Sequence, residues 1–219
     1  MDLLDFARGP ALQVALGIFV LGVTWRLMSL LLLPRLRDKS VPKKGTLAAP
    51  LAAVWEVIRR TWPDKVFARQ TMVWHVNGFV FHFGLAIVIL FFAPHIAFFR
   101  DLLGISWPAL PNNAIYAVGA LTVAALVISL IRRFANPVQR LLSGADDYFS
   151  WLVTFLPVIT GLLANSHLVA RYETLLAIHI LCVAAFLIWL PFGKLMHTFY
   201  VFIARGQTGA HLARRGAQL

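Results

Sequence analysis

The stretch AIHILCVAAFLIWLPFGKLMHTF, residues 177–199, decides the fold. It lies in an apolar segment, 172–204, that is long enough to span a membrane as a helix. His179 and His197 are eighteen residues apart in it, or about five helical turns, so both imidazoles are predicted to point the same way, roughly 27 Å apart along the axis. An imidazole inside a membrane usually has a partner, a ligand or a place on an ion pathway. Two of them at one angle and opposite depths suggest two metal-centred cofactors stacked across a membrane.

The whole chain has the composition of a membrane protein. Of its 219 residues, 60% are hydrophobic and 13% are charged, and the mean hydropathy is +0.77, which is too apolar for a soluble domain of this size. The sequence predicts five transmembrane helices, over about 10–33, 70–99, 114–131, 148–164 and 172–204. We therefore predict an all-α membrane protein, with residues 1–219 forming a single five-helix bundle followed by a polar, poorly ordered tail after Ala204.

The basic residues predict how the bundle is oriented. The net charge is +11, and the bases lie in loops beside apolar spans, which is typical of membrane topology rather than of nucleic-acid binding. The segment 34–69 carries nine bases, the loop after the third helix three and the C-terminal end four, whereas the other side has only three. The positive-inside rule places the N-terminus outside and the C-terminus in the cytoplasm. The partner that this predicts is a lipid bilayer, crossed several times, with no nucleic acid.

A shorter segment inside the first basic loop has a different pattern. LAAPLAAVWEVIRRTW, residues 47–62, has the apolar periodicity of an amphipathic helix. Such a helix either lies on the membrane surface or forms a docking surface for a soluble partner, and the two interpretations are compatible.

The predicted second helix holds three more histidines. His75 and His82 are seven residues apart, so they share a face to within about 20° and differ in depth by roughly 10 Å. His95 follows Pro94, where the helix should end, and is about 140° away from His82 on a straight helix. His75 and His82 are therefore the better-placed candidates in this helix.

Two antiparallel helices can each supply one imidazole to a haem iron, one from each side of the macrocycle. We pair His75 with His197 and His82 with His179 as candidate metal ligands. The depths match poorly, because roughly 10 Å on one helix must correspond to roughly 27 Å on the other, which requires a tilt or a kink. Substituting His95 for one of the second-helix ligands relieves the depth problem and worsens the facing problem.

Other side chains limit the chemistry. The single cysteine, Cys182, excludes an iron–sulfur cluster bound by this chain, and no C-x-x-C-H motif for covalent haem occurs. Gly78 and Gly84 allow either a macrocycle or a neighbouring helix to come close. Three bases lie on the predicted cytoplasmic side: Arg132, Arg133 and Lys194. They act either as partners of haem propionates or as topology signals.

Two other functions use the same histidines. In a transporter they would bind the transported ion, although the spans that carry them contain no acidic residue apart from Glu173 at the start of the last one. In a simple membrane anchor they would hold one haem or none. Colour and the ratio of haem to protein distinguish these alternatives from a di-haem protein.

Three stretches resemble the gamma (cytochrome b) subunit of membrane-bound respiratory nitrate reductase and its relatives. The strongest is the segment from His179 through LPFGKLMH to His197, which is similar to that family's two-ligand helix. RRFANPVQRLLSGAD, residues 132–146, resembles the loop before its fourth helix, and FHFG (81–84) followed by APHI (93–96) resembles its second helix. Together these stretches cover most of the chain from residue 70 onward.

The resemblance implies two b-type haems in a five-helix bundle of a bacterial cytoplasmic (inner) membrane. It implies an electron-transfer subunit of a quinol-linked oxidoreductase, which carries electrons between menaquinol or ubiquinol and a cytoplasmic iron–sulfur or molybdenum partner without acting on the terminal substrate itself. Position by position, His179 and His197 match the ligands of the last helix, His82 the outer-haem ligand of the second helix and His75 the inner one.

The sequence departs from that family in two respects. The family's spacing between the two second-helix ligands is about a turn longer than the spacing from His75 to His82. The loop ALPNNAIYAVG, residues 109–119, lacks the lysine that the nitrate reductase subunit has near its quinol site. These departures point to a relative, such as the membrane cytochromes of sulfur-metabolising complexes, in which electrons can instead enter the quinone pool.

Overall fold

The computed structural model describes residues 2–34, 41, 43, 48–166 and 170–217. Within those ranges the chain is helical, with turns between the helices and no strand. Part of the predicted basic loop lies outside the described residues, namely Arg35, Arg37, Lys39 and Lys44. The all-helical class predicted from the sequence is confirmed.

Nine helices follow one another along the described ranges. They are α1 (Leu3–Leu32), α2 (Ala48–Arg59), α3 (Ala68–Phe91), α4 (Ala93–Leu103), α5 (Asn112–Ala135), α6 (Pro137–Leu142), α7 (Ala145–Ser166), α8 (Tyr172–Trp189) and α9 (His197–Arg215). Helix α1 contains a short π-helical turn at Ala7–Ala11. Five of the helices, α1, α3, α5, α7 and α8, are long and apolar enough to cross a membrane. The prediction of a multi-pass protein with five spans is therefore confirmed.

The five spans pack in a row in which α3 contacts α5, α5 contacts α7, α7 contacts α8, and α8 contacts α1. Small residues let the neighbours approach: a Cβ added at Gly84 would lie 1.9 Å from Thr122 Oγ1, and one at Gly119 would lie 2.8 Å from Leu162 Cδ2. Successive spans run in opposite directions, so the bundle has two ends. We call the end with α2, α6 and α9 the basic end, and the end with α4 and Trp107 the Trp107 end.

The predicted second helix, 70–99, is two helices that meet at Phe92. Phe92 is extended (φ −80°, ψ 127°), and Pro94 occupies the first turn of α4, where its missing N–H costs nothing. The last carbonyls of α3 need other donors. The Trp107 indole supplies one of them, with Nε1 donating to the Leu90 carbonyl at 2.5 Å. The bend therefore turns α4 away from the direction of α3.

The predicted last helix, 172–204, is also two helices, separated by residues 190–196. Pro191 interrupts the helical hydrogen bonding. Gly193 packs on the indole of Trp189, where an added Cβ would lie 2.3 Å from Nε1, so the turn that follows α8 needs a glycine. His179 and His197 therefore do not lie on one straight helix. The prediction that their imidazoles point the same way, five turns apart on a single helix, is wrong.

The tail after Ala204, predicted to be poorly ordered, belongs to α9 as far as Arg215. Helix α9 packs along α2, and the contact is close because a Cβ added at Gly209 would lie 2.4 Å from the Ala52 carbonyl oxygen. The side chain of Glu56 is buried beneath this contact and is only 2% exposed. Tertiary packing thus orders a segment whose own composition is polar.

The opposite face of α2 is apolar and exposed. It carries Leu51, Val54, Trp55 and Ile58, which recur at the spacing of one helical face. This is the pattern of an amphipathic helix that lies in a membrane interface. The amphipathic helix predicted within 47–62 is therefore present, and α9 covers its other face.

Candidate functional site

The structure brings four of the chain's histidines together as two facing pairs. The first pair is His82, in the middle of α3, and His197, the first residue of α9; their ring centres are 6.0 Å apart and their planes are 89° apart. We call this the proximal pair, because it lies nearer the basic end. Both side chains are exposed on the protein surface.

The second pair is His95, in the first turn of α4, and His179, in the first half of α8. Their ring centres are 6.1 Å apart and their planes differ by only 15°. We call this the distal pair. The bend at Phe92 explains how His95 faces α8, because the angle of about 140° calculated for a straight helix does not apply across the break.

The predicted pairing of His75 with His197 and His82 with His179 is not the arrangement found. Both helix breaks contribute to the difference. His82 lies in the middle of α3, whereas His95 lies beyond the end of that helix, in the first turn of α4, so the two pairs lie at different depths. The predicted pairing required roughly 10 Å of depth on one helix to correspond to roughly 27 Å on the other, and the pairs found do not carry this requirement.

Each of the four imidazoles is held in the same way. In every case Nδ1 is hydrogen-bonded to a backbone carbonyl oxygen: His82 to Gly78 (2.7 Å), His95 to Val88 (2.9 Å), His179 to Pro157 (3.0 Å) and His197 to Lys194 (2.9 Å). A carbonyl oxygen only accepts, so Nδ1 carries the proton and Nε2 keeps a lone pair. This tautomer, oriented by a bond from the other nitrogen, is the one that histidine ligands of metals adopt.

The distance between the rings fits one metal ion between each pair. A bond from a metal to an imidazole nitrogen is about 2 Å long and the ring centre lies roughly 1 Å further back, so two rings that share a metal have centres about 6 Å apart. No group of three or more His, Cys, Asp or Glu side chains suited to a metal occurs among the described residues. A metal held by one of these pairs would need further ligands besides the two imidazoles, and the macrocycle of a haem is one group that supplies them.

The helices leave space for such a group. Helix α3 carries His82 and α8 carries His179, but the two helices do not pack closely on each other over the described ranges. Only 6% of the most apolar part of α3 is buried, compared with 28% of α5. A Cβ added at Gly78, one turn before His82, would meet nothing within 4 Å. The residues present thus fit a flat cofactor between the two histidines of a pair.

Helix α7 supports the ring of His179 from behind. A Cβ added at Gly161 would lie 3.0 Å from His179 Cε1, so a larger residue there would displace the imidazole. Thr160 Oγ1 lies 3.3 Å from Nδ1 of the same ring. The sequence analysis missed Gly161, because its role depends on how α7 packs on α8.

His75, the remaining predicted ligand, faces no other histidine within the described ranges. Its ring lies 6.1 Å from that of Phe79. It lines a cavity of about 260 Å³ at the basic end, together with Arg60 and Arg205. Gly84, a candidate for close approach of a macrocycle, packs instead against Thr122 of α5.

The three bases that were interpreted either as partners of haem propionates or as topology signals contact protein groups. Asp147, at the start of α7, is paired with Arg133 (Nη1 to Oδ1, 3.2 Å) and with Lys194 (Nζ to Oδ2, 2.5 Å). Arg132 stacks on the ring of Trp74, with its guanidinium carbon 3.9 Å from the ring centre. Because the carbonyl of Lys194 accepts from His197, Asp147 fixes the turn that positions this histidine.

No protein-family model matches the chain, and no solved structure matches it. The chain is similar to a protein of Nitratidesulfovibrio vulgaris (strain Hildenborough) that bears the name "Protein". The two sequences are 35% identical over 214 residues, which make up 96% of this chain and 94% of that relative. The chain belongs to the same family as this Nitratidesulfovibrio vulgaris protein.

Proposed function

We propose that the chain is a membrane-embedded di-haem b cytochrome that carries electrons between the quinol/quinone pool and a soluble redox partner. The proximal pair would hold one haem and the distal pair the other. One observation carries the proposal: four imidazoles form two facing pairs about 6 Å apart, and each has its Nδ1 bonded to a backbone carbonyl. The ligand set therefore differs from the predicted one, with His95 in place of His75.

When bound, haem supplies one-electron redox chemistry. The chain's own residues orient the ligands and exclude water. The backbone carbonyls fix the tautomer and direction of each imidazole, and the apolar spans keep the local dielectric constant low. Since no C-x-x-C-H motif is present, both haems would be held without covalent attachment.

The direction across the membrane follows from the charges. With the basic end in the cytoplasm, the proximal pair lies nearer the cytoplasm and the distal pair nearer the outer face. Electrons would pass between a quinol site near the distal pair and an iron–sulfur partner docked at the basic end. This matches the function implied by the resemblance to the gamma subunit of nitrate reductase, in a bacterial cytoplasmic membrane.

Haem content tests the ligand assignment. Purified wild-type protein and the single alanine variants of His82, His95, His179 and His197 are assayed by pyridine haemochrome. His211→Ala is the matched control, because it removes an imidazole from α9, the helix that begins at His197, and because His211 lines a different cavity from Arg205. We expect two haems in the wild type and in the control, and loss of one haem in each of the four variants. Loss of a haem from His211→Ala, or retention of both haems in His95→Ala, would refute the assignment.

Quinol reduction tests the electron-transfer function. Oxidised protein in proteoliposomes is mixed with a reduced quinol analogue, and the absorbance of the reduced haem is followed. We expect reduction of both haems, and slower or incomplete reduction of the proximal haem in His95→Ala, which lacks the distal ligand. A transporter would show no haem absorbance at all.

A further inference from the structure

The cavity at the basic end contains more positive charge than its protein partners neutralise. Arg60 and Arg205 both line it, and Arg59 lies one residue from the first of them. The carboxylate nearby is that of Glu56, which accepts hydrogen bonds from Arg59 Nε at 3.3 Å and from Arg60 Nε. No carboxylate pairs with Arg205 among the residues that the structure describes. Arg59 and Arg60 therefore share the Glu56 carboxylate, whereas Arg205 lines the same space without a carboxylate partner among the described residues.

Such an arrangement suits an anion. Like charges at the edge of a low-dielectric region repel each other more strongly than in water. An anion with planar oxygen pairs relieves that repulsion and matches the fork of donors on a guanidinium. Arg205 is half-buried, so it gives up part of its hydration without a protein carboxylate to replace it.

The cavity adjoins the proximal pair. Gly78 lines it, and the Gly78 carbonyl is the group that accepts from His82 Nδ1 at 2.7 Å. Arg205 lies on α9, the helix that begins at His197, about 12 Å further along its axis. Gly78, with open space where a Cβ would be, thus belongs to the lining of the cavity and lies one turn before His82.

We propose that Arg205, with Arg60, binds the propionate carboxylates of the haem held by the proximal pair. This rests on the proposed function, and it gives that haem a direction: its charged edge points to the basic end. The propionates are the ionisable side groups of a b-type haem, and a charge inside a membrane needs a partner or water. The same contact would tie the α2–α9 pair to the membrane core through the cofactor.

The test is a redox titration of both haems in Arg205→Gln, Arg205→Lys and the matched control Arg214→Gln. Arg214 is also on α9 but lines a different cavity. The proximal haem is identified as the one lost from His197→Ala. Removing a positive charge beside a haem disfavours the reduced form, so we expect the midpoint potential of the proximal haem alone to fall in Arg205→Gln. Arg205→Lys keeps the charge and should retain most of the potential, and Arg214→Gln should leave both potentials unchanged.

The titrations are repeated in bilayers of neutral lipid and in bilayers with anionic phosphatidylglycerol, since a lipid headgroup offers similar oxygen atoms. An equal shift in both bilayers supports the propionate contact. A shift that appears only with anionic lipid would assign Arg205 to the headgroup and overturn the proposal. If the wild type binds two haems and the proximal haem has the same potential in Arg205→Gln, this inference alone is overturned. If the wild type binds no haem, the proposed function is overturned as well.

Discussion

Replacing Asp147 by asparagine should weaken haem binding at the proximal pair without touching a ligand. Asp147 holds Lys194, whose carbonyl accepts from Nδ1 of His197 at 2.9 Å. The same carboxylate also pairs with Arg133. The substitution leaves the shape of the side chain nearly unchanged but removes the charge that fixes the turn.

The magnitude follows from the exposure of the groups. The side chain of Asp147 is 12% exposed, whereas those of Arg133 and Lys194 are 32% and 56% exposed. Hydrogen bonds to charged groups contribute about 1.5–3 kcal/mol, but exposed ion pairs contribute only about 0–1 kcal/mol. Because both cations keep access to water, we expect a loss of about 1–3 kcal/mol, which is roughly a 5- to 150-fold weaker affinity for the proximal haem.

The assay is transfer of haem to excess apomyoglobin, followed by the change in absorbance. Asp101→Asn is the matched control, because Asp101 is 69% exposed and pairs with Arg100 at the Trp107 end. We expect faster loss of one of the two haems from Asp147→Asn and normal retention in the control. Equal rates of haem loss from both variants would refute the link from this carboxylate to the histidine.

Three further predictions concern packing, spectroscopy and pH. Gly84→Ala should destabilise the protein in a detergent melt by about 1–3 kcal/mol, because the added Cβ would lie 1.9 Å from Thr122 Oγ1. Gly17→Ala is the control and should not destabilise it, because its added Cβ would meet nothing within 4 Å. Equal melting temperatures of the two variants would contradict this packing. The oxidised protein should give two distinct low-spin electron paramagnetic resonance signals, because the imidazole planes are 89° apart in the proximal pair and 15° apart in the distal pair. Two identical signals would contradict these geometries. Burial would raise the pKa of the Glu56 carboxyl, but hydrogen bonds from two neighbouring arginines outweigh it and lower the pKa below its ordinary value of 4.5. The ionised carboxylate therefore stabilises the α2–α9 pair above about pH 4.5, and this stability is lost as the pH falls through the lowered pKa. Circular dichroism should show the loss in the wild type and not in Glu56→Gln.

The number and class of the spans could be predicted because they depend on local composition. A hydrocarbon layer about 30 Å thick requires about 20 apolar residues for each crossing, and such runs are visible in the sequence. The basic loops are visible for the same reason. Hydropathy carries no information on where a helix bends, however, so α3 with α4, and α8 with α9, were each predicted as one helix.

The choice between His75 and His95 could not be made from periodicity, because a bend resets the helical angle. Pro94 was a visible sign that the helix should end, and together with the angle on a straight helix it made His95 the alternative ligand rather than the preferred one. In the structure the same proline starts α4 and brings His95 opposite His179. A helix break beside a histidine can thus create a ligand position as well as remove one.

The order of α9 depends on contacts between distant residues, which a single sequence does not show. Its composition is polar, but Gly209 lets it approach α2 closely enough to bury Glu56. The bonds that orient the histidines are equally hidden, because their acceptors are backbone carbonyls that any residue type can provide.

The ratio of haem to polypeptide in purified wild-type protein tests the central claim most directly. Native mass spectrometry in detergent, after expression with ample haem supply, measures it on the intact chain. Two facing pairs of histidines predict a mass increase that corresponds to two non-covalently bound haems for each chain. A colourless protein with the mass of the polypeptide alone would contradict the account.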